Sequence, residues 1–460
     1  MKLFTRKRVF LGVLMVLAIL AGLIYQKREY LQQLPIGCAF KAKALCAAVF
    51  VSGRDPAIVE REDIGFNALF KLFPARIDRT EKSVSCSFLG TGLWKKKAVY
   101  VHQIGSVLLS GLPQETVLSW KPAIPKPEPE QPESVPWPTG DRLPETPLPA
   151  TVNPEKIKAL VDRLFVETDP AKKLYTRAVV VVHDGRLVQE KYGPGITKDT
   201  PLLSWSMAKS VTNALIGILV KNGKINIKDP APVPEWQKSD DPRQRITLDQ
   251  LLRMGSGLEW VEAYAERPVS DVNIMLLLKP DMGAFAASKP LKAEPDTLWH
   301  YSSGTTNIIQ RIIRENLGSR EAYWGFPRQE LFNKIGMRSA VWETDASGTF
   351  IGSSYLLATA RDYARFGLLF LNDGVWQGER ILPEGWVSYC TTPTPAAPKG
   401  QYGAHFWLNG GKESIPESRP FPLLPGDAFF ARGYQGQIIV IIPSRKLVIV
   451  RLGMTYDEKW

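Results

Sequence analysis

The sequence predicts an α+β fold: a central antiparallel sheet flanked by helices, with a mostly helical lobe beside it. Three observations carry this. A helix and a β-hairpin come first, between Pro154 and Gly193. Amphipathic helices fill the middle, and Gln437 to Arg451 reads as two apolar strands joined by a short turn. The chain divides into residues 1–29, 30–120, 121–150 and 151–460.

The first segment opens with Lys2, Arg6, Lys7 and Arg8, runs almost wholly apolar from Val9 to Tyr25, and continues into Lys27 and Arg28. A basic flank before such a run predicts an export signal or a short membrane span. No clean A-x-A triplet follows, which favours an uncleaved signal anchor. The heavier basic flank keeps the N-terminus in the cytoplasm, so the bulk of the chain is expected outside it, on the inner membrane facing the periplasm.

Residues 30–120 alternate short apolar runs with Gly and charged turns, and read as a small, mostly β unit. Cys46 and Cys86 both fall in segments that look like strands. A bridge between them would close a loop of about 40 residues and stabilise the unit by about 3–4 kcal/mol. Cys38–Cys46 is the rival pairing. Residues 121–150 hold ten of the 36 prolines, too many for a helix or a sheet interior, so an extended, semi-rigid connector is expected.

From residue 154 the pattern changes. Pro154 to Phe165 has apolar residues at helical spacing. Ala178 to Gly193 is a hairpin turning at Asp184-Gly185; His183 precedes that turn and reads as structural. A helix beginning near Ser206 runs to Lys221 and stops at Asn222-Gly223. Another starts behind a Thr247 cap.

The chemistry lies in three places. Ser206 and Lys209 stand three apart at the mouth of a helix, a spacing that puts both on one face. A lysine whose pKa is lowered by burial can take the proton of a serine hydroxyl. The neighbours Met207, Ala208 and Val211 are small or apolar, so this face is expected to be buried. Tyr301, with Ser303 two positions on, precedes a second amphipathic helix. Gly433-Tyr434-Gln435-Gly436-Gln437 is a glycine-rich turn leading into a strand.

In that order these elements resemble the serine β-lactamase and penicillin-binding-protein superfamily, class C branch. They are closest to its esterases and 6-aminohexanoate-dimer hydrolases, where the second motif reads Y-x-S. Ile246 to Leu258 looks like the I-T-x-x-x-L-L-x-x-x-S-G-L element of the same superfamily. The resemblance covers roughly residues 155–460. It implies that Ser206 is the nucleophile, Lys209 its activating base and Tyr301 a second acid/base group. It also implies an oxyanion hole from the backbone of Ser206 and of Gly436-Gln437, with Ser303 and Tyr434 lining the substrate site. Ser303 stands where β-lactamases place asparagine, and Tyr434-Gln435 replaces Lys-Thr. Both departures argue for an ester or amide substrate rather than a β-lactam. Trp260, Tyr264, Asp271, Trp299 and His300 lie close in sequence and read as packing around the pocket. Asp427 and Arg432 flank the last strands and are candidates for steering substrate polarity.

Other classes fit less well. The net charge of +12 is spread as +7 over residues 1–150 and +5 over the rest. A modest excess beside an anchor suits an anionic lipid surface. Lys95-Lys96-Lys97 is too short a run for nucleic acid. There is no C-x-x-C, and the four histidines are scattered singly, so no metal site and no cofactor are expected. No G-x-S-x-G appears, which removes a Ser-His-Asp α/β-hydrolase. The partners expected are a small ester, amide or peptide and the lipid bilayer. Within the superfamily the alternatives are a D-amino-acid peptidase, a β-lactamase and a non-catalytic penicillin-binding-like module.

Overall fold

A computed structural model describes residues 28–150, 152–169, 172–411 and 415–456. The predicted anchor at Val9–Tyr25 lies outside the described residues. Segment 30–120 is not the mostly β unit expected. It opens with a long helix, α1 (Arg28–Phe50). Four antiparallel strands follow in the order β1 (Ala75–Asp78), β2 (Ser83–Cys86), β3 (Lys96–Val101) and β4 (Gly105–Leu108). The apolar stretch around Cys46 was read as a strand because a short apolar run has no diagnostic periodicity. It is the C-terminal half of α1.

Helix α1 is a core element. Leu31–Phe50 is long and apolar enough to cross a membrane, but 67% of its apolar window is buried inside the protein. Lys43 projects from it into the interior and pairs with Glu343 at 2.6 Å, and both are almost fully buried. The same ammonium donates to the Ser106 carbonyl and lies 4.7 Å from the Tyr355 ring centroid. A buried charge needs this partnering to be tolerated at all. The pair therefore bolts the N-terminal unit to the remainder of the molecule.

The predicted Cys46–Cys86 bridge is absent, since all four cysteines are free thiols. Cys46 lies on α1 facing Ser106. The thiol that meets Cys86 is Cys38, to which it is hydrogen-bonded. Cys86 also donates to the Phe73 carbonyl at 3.3 Å. The rival pair Cys38–Cys46 is excluded by the helix, where eight residues span about 12 Å along the axis, beyond the ~7 Å limit of disulfide geometry.

The proline-rich segment has no α-helix, and between Pro132 and Arg142 it folds back through a 3-10 turn at Pro132–Ser134 and a second turn closed by Gly140 N–H donating to the Pro136 carbonyl. It does not hang free. Arg365 donates to the Pro138 and Gly140 carbonyls at 2.6 Å each and pairs with Asp141 at 2.7 Å. Trp137 tucks beneath the same guanidinium, 4.8 Å from its ring centroid, and donates to the Gly185 carbonyl. The segment is a strap tied along the larger unit.

That unit begins with α2 (Pro154–Arg163) and the hairpin β5 (Ala178–His183) and β6 (Arg186–Tyr192). Helices α3 (Met207–Lys221), α4 (Asp271–Leu278), α5 (Met282–Ala287), α6 (Ser303–Leu317) and α7 (Ala360–Leu371) follow. Strands β7 (Trp407–Leu408), β8 (Phe429–Gly433), β9 (Gln437–Ile442) and β10 (Leu447–Leu452) close it. The six strands form one antiparallel sheet in the order β7-β8-β9-β10-β5-β6. First and last segments thus pair in the centre, Val448 opposite Val182 and Val450 opposite Val180. Sheet valines are buried on both faces, which explains the unbroken Val179–Val182 run. Val179 and Val181 pack with Val161 of α2. Across the sheet, α7 approaches so closely that a Cβ on Gly367 would sit 2.6 Å from Val448. This is the predicted α+β architecture, with α4 to α6 as the helical lobe.

Candidate active site

Helix α3 enters the core between sheet and helical lobe, and every residue from Met207 to Leu219 is buried. Ser206 is its N-cap. Trp205, immediately before, has φ +45°, a left-handed conformation costly for a bulky side chain and held only when its surroundings over-determine it. Here they do. Its indole N–H donates to Gln435 Oε1 at 3.2 Å, and its ring lies against Tyr355 and Tyr434 at 5.7 and 5.6 Å.

One turn into α3, Lys209 is 1% exposed. Its Nζ is 2.9 Å from Ser206 Oγ, 2.9 Å from Ser303 Oγ and 3.3 Å from the Ser353 carbonyl, and 4.8 Å from the Tyr301 ring centroid. Burial lowers its pKa to about 8, partly opposed by the negative charge of Glu262. About a tenth of the lysine is therefore free amine at pH 7, against about one part in 3,000 for an unperturbed lysine, and that amine can accept the Ser206 proton. Behind it, His405 contacts the Lys209 carbonyl through Nδ1 at 2.9 Å and Thr306 Oγ1 through Nε2 at 3.2 Å. Burial and the Lys209 charge push that imidazole down to about 3, so it packs as a neutral ring.

Tyr301 and Ser303 arrive together because Ser302 caps α6, its hydroxyl accepting from Thr305 N at 3.2 Å. The Tyr301 hydroxyl is in hydrogen-bonding reach of Ser206. Its pKa is raised by burial and by Glu262, with Ser206 and the Arg432 charge opposing. A lysine ammonium nearby would favour the phenolate, but burial wins, and the resting group is a neutral phenol.

Glu262 was not singled out from the sequence, although Trp260 and Tyr264 on either side of it were. Its Oε1 accepts from Ser303 Oγ at 2.6 Å and its Oε2 from Ser303 N at 2.8 Å. Trp260 Nε1 and Tyr264 OH complete its set at 2.6 and 2.9 Å. The carboxylate sits at the N-terminus of α6, where free N–H groups and the helix dipole favour an anion. It sits behind Ser303 and faces Lys209 through that hydroxyl. The alternation Trp260-x-Glu262-x-Tyr264 was the available signal.

Of the glycine-rich turn expected to face Ser206, a different residue makes the closest approach. Gly433, at the end of β8, is the residue laid against the Ser206 main chain: a Cβ there would lie 2.3 Å from the Ser204 carbonyl and 3.1 Å from Ser206 N. Only glycine permits that approach. Gly436 and Gln437 sit across the turn, where Gln437 opens β9 opposite Gly433. The Gln437 amide is spent on structure, donating to Gly453 O at 2.6 Å and accepting from Gly453 N at 3.0 Å. Of this turn, Gly433 is therefore the residue that lies against the Ser206 main chain. The Tyr434 ring stacks on Tyr264 at 4.7 Å, walling the pocket.

Among the flanking candidates, Trp299 packs against Tyr402, Trp407 and Tyr301. Arg432 lies over Trp407 and faces Tyr301. His300 is exposed. Asp271 accepts from Val261 N and pairs with Lys289, and Asp427 holds a turn through Ser444; neither belongs to the site.

A family model described as Beta-lactamase matches residues 161–455. A 6-aminohexanoate-dimer hydrolase of Paenarthrobacter ureafaciens is 25% identical over 336 residues, covering 69% of this chain and 81% of that one. The solved structure of a candidate 6-aminohexanoate-dimer hydrolase from Bacillus anthracis superimposes with a TM-score of 0.53 at 27% identity, over 65% of this chain and 76% of that one. SurE, at 17% identity and a TM-score of 0.51 over 66% and 72% of the two chains, shares the fold. The matched span covers well over half of the sequence and contains the Ser206, Tyr301 and Gly433 segments: the chain belongs to the Beta-lactamase family and is a hydrolase of that fold.

Proposed function

We propose that the protein cleaves an ester or amide through a covalent acyl-enzyme on Ser206. The observation that carries this is the placement of one buried, pKa-lowered lysine within 2.9 Å of the Ser206 hydroxyl. In the proposed sequence the Lys209 amine takes the Ser206 proton as Oγ attacks the carbonyl carbon. The N–H groups of Ser206 and Tyr434 receive the developing oxyanion; such donors are commonly worth about 3–4 kcal/mol. As the tetrahedral species collapses, the Tyr301 phenol protonates the leaving alkoxide or amine. In deacylation water attacks the acyl carbon and gives its proton to the Tyr301 phenolate. Ser206 leaves and recovers its proton from the Lys209 ammonium.

A linear amide or ester is favoured over a β-lactam. Ser303 is engaged by Glu262 and Lys209 and offers no amide side chain. The relative from Paenarthrobacter is named for a linear amide substrate. Labelling by a fluorophosphonate should add one adduct mass to the wild type and none to Ser206→Ala. Short-chain p-nitrophenyl esters should be cleaved and nitrocefin turned over poorly. Efficient nitrocefin hydrolysis without esterase activity would overturn the substrate assignment. The Val9–Tyr25 segment is read as anchoring the protein to the inner membrane with the hydrolase outside. A phosphatase reporter fused after Trp460 should be active in the periplasm; a cytoplasmically fluorescent fusion would refute this orientation.

A further inference from the structure

The N-terminal unit builds a cavity that the reaction above does not use. It measures about 320 Å³ and lies between α1, the Phe66–Phe73 segment and the helical lobe. Phe40, Phe70 and Phe73 form one wall, and Leu276 and Leu277 of α4 form the other. Its inner end reaches Trp205, Tyr264 and Tyr434, and Trp205 is the residue before Ser206 in the chain. Leu69 and Leu72, at its rim, are 57% and 38% exposed. From the rim, aromatic contacts run Phe70 to Phe73 to Phe88 to Trp94, toward Leu89 and Leu93, which are also more than half exposed. A soluble protein seldom leaves such an apolar tract open unless something apolar occupies it.

Resting on the serine-hydrolase reading above, we propose that this cavity is an acyl-chain site, and that the substrate is a long-chain ester or amide whose hydrocarbon tail fills it while its carbonyl meets Ser206. Three features single out this occupant. The lining is overwhelmingly apolar and aromatic, with Gln33, Asn67 and Asn273 as its amide side chains and without a charged side chain, so a tail and not a headgroup fits. The inner end shares Trp205, Tyr264 and Tyr434 with the reaction site, so tail and carbonyl can be held by one molecule. The outer end continues into exposed leucines, the path by which an amphiphile would enter. The proposal gives residues 30–120 a role in choosing substrate.

The test is a series of p-nitrophenyl esters from acetyl to dodecanoyl, with calorimetric binding of dodecanoate to Ser206→Ala as an arm that needs no catalysis. Each methylene buried contributes up to about fourfold, so kcat/KM should climb at least 100-fold from acetyl to decanoyl, and dodecanoate should bind. Leu72→Trp at the rim and Leu276→Phe inside should flatten the series and abolish binding while acetyl ester turnover stays within twofold. Thermal unfolding confirms that both variants are folded. Ester cleavage with a flat wild-type series and no dodecanoate binding overturns the acyl-chain site and leaves the hydrolase standing. Dodecanoate binding lost in Leu72→Trp, without ester cleavage, does the reverse. A chain-length gradient that persists in both filled variants also overturns the site.

Discussion

Replacing Glu262 by Gln tests whether the Lys209–Ser303–Glu262 chain sets the pKa of the base. The bonds from Lys209 to Ser303 and from Ser303 to Glu262 measure 2.9 and 2.6 Å, which puts the two charges no more than about 5.5 Å apart. At an effective dielectric of ~20 that separation is worth about 3 kcal/mol, or roughly two pKa units. Screening makes a shift of about one to two units the expectation. The sign is fixed by chemistry. Lys209 must be neutral to accept the Ser206 proton, so in the wild type kcat/KM should rise with pH and level off above about 8. Removing the carboxylate destabilises the ammonium, so in Glu262→Gln the same limb should move to lower pH. The assay is the pH profile of kcat/KM on a p-nitrophenyl ester, which reports the free enzyme. A merely structural glutamate would change the plateau and leave the midpoint in place. A limb that stays near pH 8 or moves upward would refute the reasoning.

Two further outcomes follow from the same geometry. Tyr301→Phe should lower turnover by about 10²–10⁴, the usual contribution of a positioned acid–base group, with thermal unfolding unchanged; a loss under threefold would leave the ring as packing. Lys43→Met should destabilise the protein by about 3–5 kcal/mol in chemical denaturation, because it strands the fully buried Glu343. A change below about 1 kcal/mol would mean that the pair does not bolt α1 in place.

The sheet and the Ser206, Tyr301 and Gly433 segments were legible because each carries a local signal: unbroken apolar strand runs bounded by turns, a capped amphipathic helix, a glycine turn. What escaped depends on tertiary contact. The helical state of the Cys46 run is decided by burial against β2 to β4. The partner of Cys86 is Cys38, which sequence spacing does not rank above Cys46. Glu262 becomes part of the site only because the N-terminus of α6 points at it; the local alternation Trp260-x-Glu262-x-Tyr264 marks the segment but not that contact. The glycine-rich turn was legible, but the reading took the start of β9 as the part facing Ser206, whereas Gly433 at the end of β8 makes that approach.

The central claim is that the reaction passes through an acyl group on Ser206. Acid-quenching the enzyme within its first turnovers of p-nitrophenyl acetate, followed by proteolysis and mass mapping, tests it directly. An acetyl group on the peptide containing Ser206, absent in Ser206→Ala and in Lys209→Ala, is the predicted result. Hydrolysis proceeding at the wild-type rate in Ser206→Ala, or an acetyl group mapped to another side chain, would contradict it.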